Sequence, residues 1–304
     1  MNTKELVMNA IDSNGFQSTA TSAGYINPEL WNRQVLKMVE DTIVVAGYAK
    51  VYDDILGALG DSFNVTINSA PSAATAVAES DDVAISTYTV TTVKFEPTEY
   101  AAAYNLSDKE ARRGFYNIAQ DMVQRLGYSL ALKREMAAIS LLQSGAGNTV
   151  TANSVLSSSI ASSDKIDYDD IANLRKEIVK DKLLPRVLFV SPGQYTDLLK
   201  NQAFRDASQY GGRETVFGGR IVKVAGIDIV ETTLITPTSS KSKAIMLGYD
   251  MGSESPFGIG RKSLPKIERE RHALGRYVDI VAVEEWDMQI LRANGVGTLE
   301  SYDA

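Results

Sequence analysis

"LLPRVLFVSPGQYTDLLK", residues 183–200, sets an apolar run, Val187 to Val190, against a Ser191-Pro192-Gly193 break and the start of an amphipathic helix. A strand, a small-residue turn and a helix also build phosphate loops and nucleophile elbows. The elbow requires G-x-S-x-G and a histidine partner. Here Phe189 stands two residues before Ser191, and the only histidine, His272, lies in the charged run "ERERHALGR". A phosphate loop requires G-x-x-x-x-G-K-[ST], which occurs nowhere. "FGIGRK", 257–262, lacks that spacing, and no G-x-G-x-x-G follows a strand. The Ser191 turn therefore reads as architecture.

Around it lies an α/β pattern. Tyr168 to Lys180 reads as a helix, 187–190 as a strand and 193–201 as a helix. "GRIVKVAGIDIVET" reads as a hairpin around Gly226, and "KAIMLGY", 243–249, as a strand. In the return segment Val278, Ile280, Ala282, Trp286, Met288 and Ile290 alternate on one strand face. The Ser-rich stretch 145–165 reads as a connector and domain boundary.

The strongest local signal precedes that connector. "SDKE" is a capping box, with Ser107 as cap and Glu110 reaching back. Ala111, Phe115, Ile118, Met122, Leu126, Leu130, Ala137 and Leu141 then recur at helical spacing until Gly145. The spacing predicts one helix over 107–143, roughly 55 Å long at 1.5 Å per residue. Gly114 and Gly127 inside it allow a bend or close packing.

Further toward the N-terminus, "DSFNVTIN", 61–68, and "DVAISTYTVTTVKF", 82–95, read as strands. The small-residue stretch between them ends in acids. The pair predicts a long hairpin with a loose acidic tip. A lone two-stranded hairpin is marginal in water, so this one is expected to lean on something else. Residues 1–27 read as an arm of small polar residues that cannot fold alone. Asn27 and Pro28 then start a helix with Trp31, Val35, Met38 and Val39 on one face.

Composition narrows the function. The 304 residues are 44% apolar and 23% charged, ordinary globular usage with a sizeable core. Net charge is −7 with no basic tail, which argues against a phosphate-gripping DNA binder. There is no cysteine, hence no disulfide, thiolate nucleophile or Cys-based metal site. No apolar run approaches a membrane span. The first sixteen residues lack a signal peptide's basic start and long apolar core, so folding in a cytoplasm is expected. The acid pairs Asp53/Asp54, Asp81/Asp82, Asp169/Asp170 and Glu284/Glu285 read as solvated surface or inter-chain salt contacts, because adjacent acids on a strand face opposite ways. The Gly-rich "YGGRETVFGG", 210–219, reads as a mobile or inter-subunit contact loop. No catalytic, cofactor-binding or metal site emerges. What remains is an arm, a hairpin without a core, a long helix and an α/β domain, the projecting parts that neighbours in an assembly would bury.

In this order the segments resemble the major capsid proteins of tailed bacteriophages and related viruses, the Hong Kong fold shared with encapsulin shells. "SAGYINPELWNRQVLKMVED", 22–41, looks like the family's join between arm and first helix. "PRVLFVSPGQYTDLLKN", 185–201, with the Gly-rich loop and the Gly226 hairpin, is similar to its axial domain. "RERHALGRYVDIVAVEEWDMQIL", 269–291, looks like the closing strands. The resemblance implies an α+β fold. It divides into an arm at 1–27, the start of a peripheral domain at 28–60 and an extended loop at 61–95. Residues 96–165 continue the peripheral domain with spine helix 107–143, an axial domain covers 166–262, and return strands run over 263–304.

It further implies a non-enzymatic major capsid protein, self-assembling through hexamers and pentamers into an icosahedral shell of the virion. That shell is assembled in the host cytoplasm and encloses double-stranded DNA by confinement. An encapsulin-type compartment is the alternative, and a cytosolic α/β enzyme a second. Two departures from the family matter. The chain starts almost at the arm, which implies a separate scaffold protein, or none; a portal is the other partner expected. No lysine occurs between Lys50 and Lys94, so the isopeptide crosslink of some members is not expected. Residues 51–93 hold acids and no Lys or Arg. Glu79, Asp81 and Asp82 at the loop tip are therefore expected to pair, across a subunit boundary, with some of Lys109, Arg112, Arg113, Arg125, Lys133, Arg134, Arg269 and Arg271.

Overall fold

The computed structural model describes residues 43–53, 56, 60–68, 90–114, 117–201, 216–217, 220–221 and 223–303. The arm, the helix expected after Asn27, the hairpin tip 69–89 with Glu79, Asp81 and Asp82, and most of the 210–219 loop lie outside these residues. The described chain, Gly114 apart, belongs to one body drawn from 40–113 and 117–304.

A single 3-10 turn, Val45–Tyr48, leads into strand β1 (Lys50–Tyr52). The hairpin strands follow as β2 (Phe63–Asn68) and β3 (Val90–Phe95), antiparallel with Phe63 opposite Phe95. After Pro97 the chain forms β4 (Thr98–Ser107), a ten-residue strand that sequence periodicity did not suggest. Where one helix over 107–143 was expected, there are two: α1 (Asp108–Arg113) and α2 (Ile118–Ser144). Ser107 and Glu110 do form the capping box. The chain leaves the helix at Gly114 and restarts at Asn117, whose side chain accepts from the Gln120 N–H. A helix-weakening glycine followed by a second N-cap outweighs the apolar period that runs through both pieces.

The next strand, β5 (Asn148–Thr151), lies inside the expected Ser-rich connector. Then come α3 (Tyr168–Lys180), β6 (Leu184–Val190) and α4 (Pro192–Lys200). Two short strands, β7 (Val216–Phe217) and β8 (Arg220–Ile221), pair with each other. β9 (Lys223–Val224) and β10 (Ile227–Glu231) form the hairpin expected around Gly226. Its turn places Ala225 and Gly226 at φ 50° and 81°, the two left-handed positions of a type I′ turn. The chain closes with β11 (Lys241–Tyr249), β12 (Phe257–His272), β13 (Tyr277–Ile290) and β14 (Val296–Tyr302).

These strands make two principal sheets. One has the order β1-β12-β13-β4, the other β5-β14-β11-β6-β10-β9. In the six-stranded sheet β6 is central and buried on both faces. Leu188 and Val190 pack with Ile171, Leu174, Ile178 and Leu198 of α3 and α4. Val187 and Phe189 pack on the other side with Ala138, Ile139 and Leu142 of α2. Two-sided burial is why this strand reads as a continuous apolar run. In the four-stranded sheet β13 alternates strictly: Ile280, Ala282, Glu284, Trp286 and Met288 are buried. Leu126 and Leu130 of α2 cover Ile280 and Ala282. α2 thus runs from one sheet to the other, and Trp286 and Met288 share a core with Phe189 and Leu247.

Candidate assembly surfaces

The Ser191 turn is a helix start. Its hydroxyl accepts from the Gln194 N–H, and the Gln194 side chain accepts from the Ser191 N–H at 3.2 Å. The same hydroxyl donates to Asp303, which also accepts from the Ser242 hydroxyl at 2.5 Å. All three residues are buried. This cluster ties Asp303 to the start of α4, and the chain's one histidine, His272, takes no part in it.

The acid pairs require two corrections. Glu284, expected at the surface or in an inter-chain contact, is 1% exposed. It accepts from Trp286 Nε1 at 2.7 Å and lies 3.4 Å from Arg134 Nε. That geometry is an ion pair without a hydrogen bond, because Arg134 Nε has no hydrogen-bond partner. Asp170 is buried too, as the reciprocating residue of the Asp167 capping box at the start of α3. Burial pushes its carboxyl upward. Asp53 instead grips Arg261 with two hydrogen bonds, at 2.7 and 2.6 Å. His272, half-exposed, stacks on Tyr277 and lies 2.9 Å from Asp279.

The hairpin stalk is anchored at its base by aromatic contact. Phe63 and Phe95 stack with centroids 4.7 Å apart, and Tyr52 lies 5.7 Å from Phe95. The rings sit on Gly260 of β12, where a Cβ would collide with Phe63. Beyond this base Val65, Ile67 and Val93 are only half-buried, so the stalk leaves its anchor without a core of its own.

A further anchor was invisible in the sequence. Glu135, fully buried in the middle of α2, accepts the backbone N–H groups of Val44, Val45 and Ala46 at 2.9, 2.6 and 2.7 Å. The carboxylate caps the turn through which the segment from residue 43 joins the body. Only the placement of an acid among helical apolar positions hints at it.

The eight basic candidates divide into two groups. Arg271 pairs with both carboxylate oxygens of Asp108, Arg125 with Asp121 and Arg134 with Glu284. Arg112 donates to the Asp108 carbonyl, and Lys133 lies over the Tyr100 ring at 5.5 Å. Lys109, Arg113 and Arg269 are exposed and make no ion pair with a described residue. Residues opposite one another in an antiparallel pair share a face, so Arg269 and Arg271 lie on the face of Ile280 and Val278, the side of α2. The other face gathers Glu99, Glu268, Glu270, Asp279, Glu285 and Asp287. The four-stranded sheet is basic on its helix side and mainly acidic on the other, where Lys266 lies among the acids and the hairpin base covers Gly260.

Among the described residues there is no cluster of three metal-ligating side chains, and no helix is long and apolar enough to cross a membrane. A groove of about 570 Å³ between α2 and the six-stranded sheet is lined by Met136, Ile139, Gln143, Leu234, Lys241 and Lys243 among others.

Solved structures share this fold along nearly the whole chain. A structure from Mycobacterium phage Che8 aligns with TM-score 0.70 at 17% identity, over 91% of this chain and 97% of its own. The capsid of cyanophage P-SCSP1u aligns with TM-score 0.72 at 13% identity, over 98% of both chains. The holo-SrpI encapsulin complex of Synechococcus elongatus aligns with TM-score 0.61 at 11% identity, over 89% of this chain and 92% of its own. No curated protein matches by sequence. The family model "Phage capsid protein" matches residues 89–287. That span runs from the hairpin stalk through both principal sheets and covers more than half of the sequence, so the chain belongs to the phage capsid protein family, as a structural major capsid protein.

Proposed function

We propose that the chain is the repeating subunit of an icosahedral virion shell that encloses double-stranded DNA, built as hexamers and pentamers in the host cytoplasm, with a scaffold protein and a portal as partners and no enzymatic role. The observation that carries this reading is the family match joined to an uninterrupted capsid fold. The mainly acidic sheet face and the net charge of −7 support confinement of DNA without a grip on its phosphates. An encapsulin-type compartment is the second reading, favoured by the likeness to the holo-SrpI complex.

Within the shell, the acidic loop tip of one subunit, Glu79, Asp81 and Asp82, pairs with basic residues of the next. Lys109, Arg113 and Arg269 are the best placed of the eight, since the other five already have partners within their own chain. Each exposed pair contributes at most about 1 kcal/mol, but the contact recurs in every subunit. Electron microscopy of the purified protein tests the shell directly: closed icosahedral particles are expected, and a protein that stays monomeric under all assembly conditions refutes it. Reversing Glu79, Asp81 and Asp82 together should weaken assembly, and acidic replacements at Lys109 and Arg113 should partly restore it. Indifference to the reversal would remove the pairing and leave the shell standing.

A further inference from the structure

The far end of the β12–β13 hairpin carries the chain's one histidine. Glu270 and Asp279 stand directly opposite one another there, on β12 and β13. Like charges in that position push two strands apart. His272 lies against both. Its Nε2 is 2.9 Å from Asp279 Oδ2 and 4.0 Å from Glu270 Oε1. The imidazole stacks on Tyr277 with centroids 4.6 Å apart, and Asn105 of β4 donates to the other Asp279 oxygen at 2.9 Å. Residues of three strands thus hold one imidazole against two carboxylates.

The other charges nearby are engaged elsewhere or distant. Glu268, on the same face of β12, adds a third acid. Lys266, the next cation along that face, is about 20 Å from His272 at 3.3 Å per residue. Ser107, opposite Tyr277 on β4, donates to Glu110 of α1. Arg271 grips Asp108 from the helix side, and Arg276 helps it hold that carboxyl below its ordinary value. Among the described residues, His272 is therefore the one group that can bring positive charge to the Glu270–Asp279 pair. Histidine gains and loses its charge between about pH 5 and 8, a range in which carboxylic acids stay ionised. Just beyond, the turn from Ala273 to Arg276 presents Leu274 fully exposed.

We propose that this end of the hairpin is a pH-dependent clasp. With His272 protonated, the imidazolium offsets the repulsion between Glu270 and Asp279 and holds the two strands, and Leu274 with them, in one position. With His272 neutral, two like charges face each other uncompensated and the end opens more often. The sign follows from the charges. The clasp is closed on the acid side of the histidine range and loosens as pH rises through it. The other face has its own tie, Arg271 to Asp108, which keeps its charges throughout that range. Alkaline pH therefore loosens the end without releasing it. The device lies within one chain and stands apart from the shell reading.

Hydrogen exchange on dissociated full-length subunits tests it, at about pH 5.5 and about pH 8, with each rate divided by the intrinsic rate at that pH. Amides of 268–272 and 277–281 should open at least about twofold more often at the higher pH, while those of β6 do not change. His272→Gln keeps a donor beside Asp279 but never gains a charge, so its hairpin end should open at both pH values as the parent's does at the higher one. Glu270→Gln removes the opposing charge and should open less often than the parent at the higher pH. Both side chains are at least partly exposed, and wild-type fluorescence from buried Trp286 checks that the variants fold. Equal opening of the parent's hairpin end at the two pH values overturns the clasp. A pH dependence that survives in His272→Gln also overturns it, because another group would then carry the effect, and so does a rise shared equally by β6, which would be global unfolding. Should a variant fail to fold, the parent's own pH comparison decides.

Discussion

Replacing Glu135 by glutamine should destabilise the subunit by about 2–4 kcal/mol. Glu135 Oε1 accepts from Val44 and Val45, and Oε2 from Ala46. A glutamine can keep its carbonyl oxygen at the first site, but its amide nitrogen then faces the Ala46 N–H, donor against donor. One orphaned donor costs about 1–3 kcal/mol, and two bonds losing their charge assistance cost about 1 kcal/mol each. Relief from burying a carboxylate offsets part of the sum. Leucine tests the argument in the other direction. Were the carboxylate only a buried liability, an apolar residue of similar volume would be neutral or stabilising. Because leucine orphans three N–H groups at once, it should be worse than glutamine. Urea unfolding of the dissociated subunit, followed by tryptophan fluorescence, reads the order directly as midpoint shifts. A leucine variant as stable as the parent would refute the capping role, and so would a glutamine variant within about 0.5 kcal/mol of the parent, the range of an ordinary surface change.

Three further outcomes are expected. Gly260→Ala should loosen the hairpin base, because its Cβ would enter the Phe63 ring; amide exchange across β2 and β3 should rise while the β6 core stays protected. Acid should weaken three links first. The guanidiniums of Arg261, Arg271 and Arg292, hydrogen-bonded to Asp53, Asp108 and Asp250, hold those carboxyls below their ordinary value. A depressed carboxyl stabilises the fold above the unfolded pKa and loses that contribution as pH falls through the folded one. Unfolding midpoints should therefore drop below about pH 4 and be insensitive to these pairs near neutrality, and a drop confined to pH 6–8 would assign the effect to other groups. Finally, boiled denatured particles should run as one monomer band, since the loop has no lysine between Lys50 and Lys94; a ladder of covalent multimers would contradict this.

What could be read from the sequence follows from where each signal is stored. The helix expected from Tyr168 to Lys180 has those bounds in the structure, because caps and a 3.6-residue period are local. The alternation along β13 is equally local, and the one acid on its buried face, Glu284, proves to be an ion-pair partner there. β4 was missed because "AAA" carries no strand preference; ten pairings with β13, from a distant part of the chain, make it a strand. The break between α1 and α2 was masked by an apolar period that runs through it, although Gly114 and the Asn117-x-x-Gln120 cap marked it. Glu135 left only the hint of an acid among apolar helix positions, since its partners are backbone groups 89 to 91 positions away.

The order of strands in the two sheets bears on when a subunit becomes competent. In the four-stranded sheet β13 lies between β12 and β4; in the six-stranded sheet β14 lies between β5 and β11. Both interior strands fall within residues 277–302, after every strand that they join. Until they emerge, β4 lacks its partner and β5 lacks any connection to the rest of its sheet. Asp303 then completes the closure by accepting from Ser191 and Ser242. A nascent chain whose residues 277–302 are still sheltered in the ribosome therefore has neither sheet complete and presents no finished assembly surface. Folding should wait for residues 277–302 to emerge and be cooperative across both sheets. Arrested nascent chains extended by C-terminal linkers of increasing length should acquire protease resistance in α2 and β6 together, only once the linker clears the tunnel. Resistance of β6 in chains whose residue 277 is still sheltered would show that the six-stranded sheet forms without β14 and would break the argument.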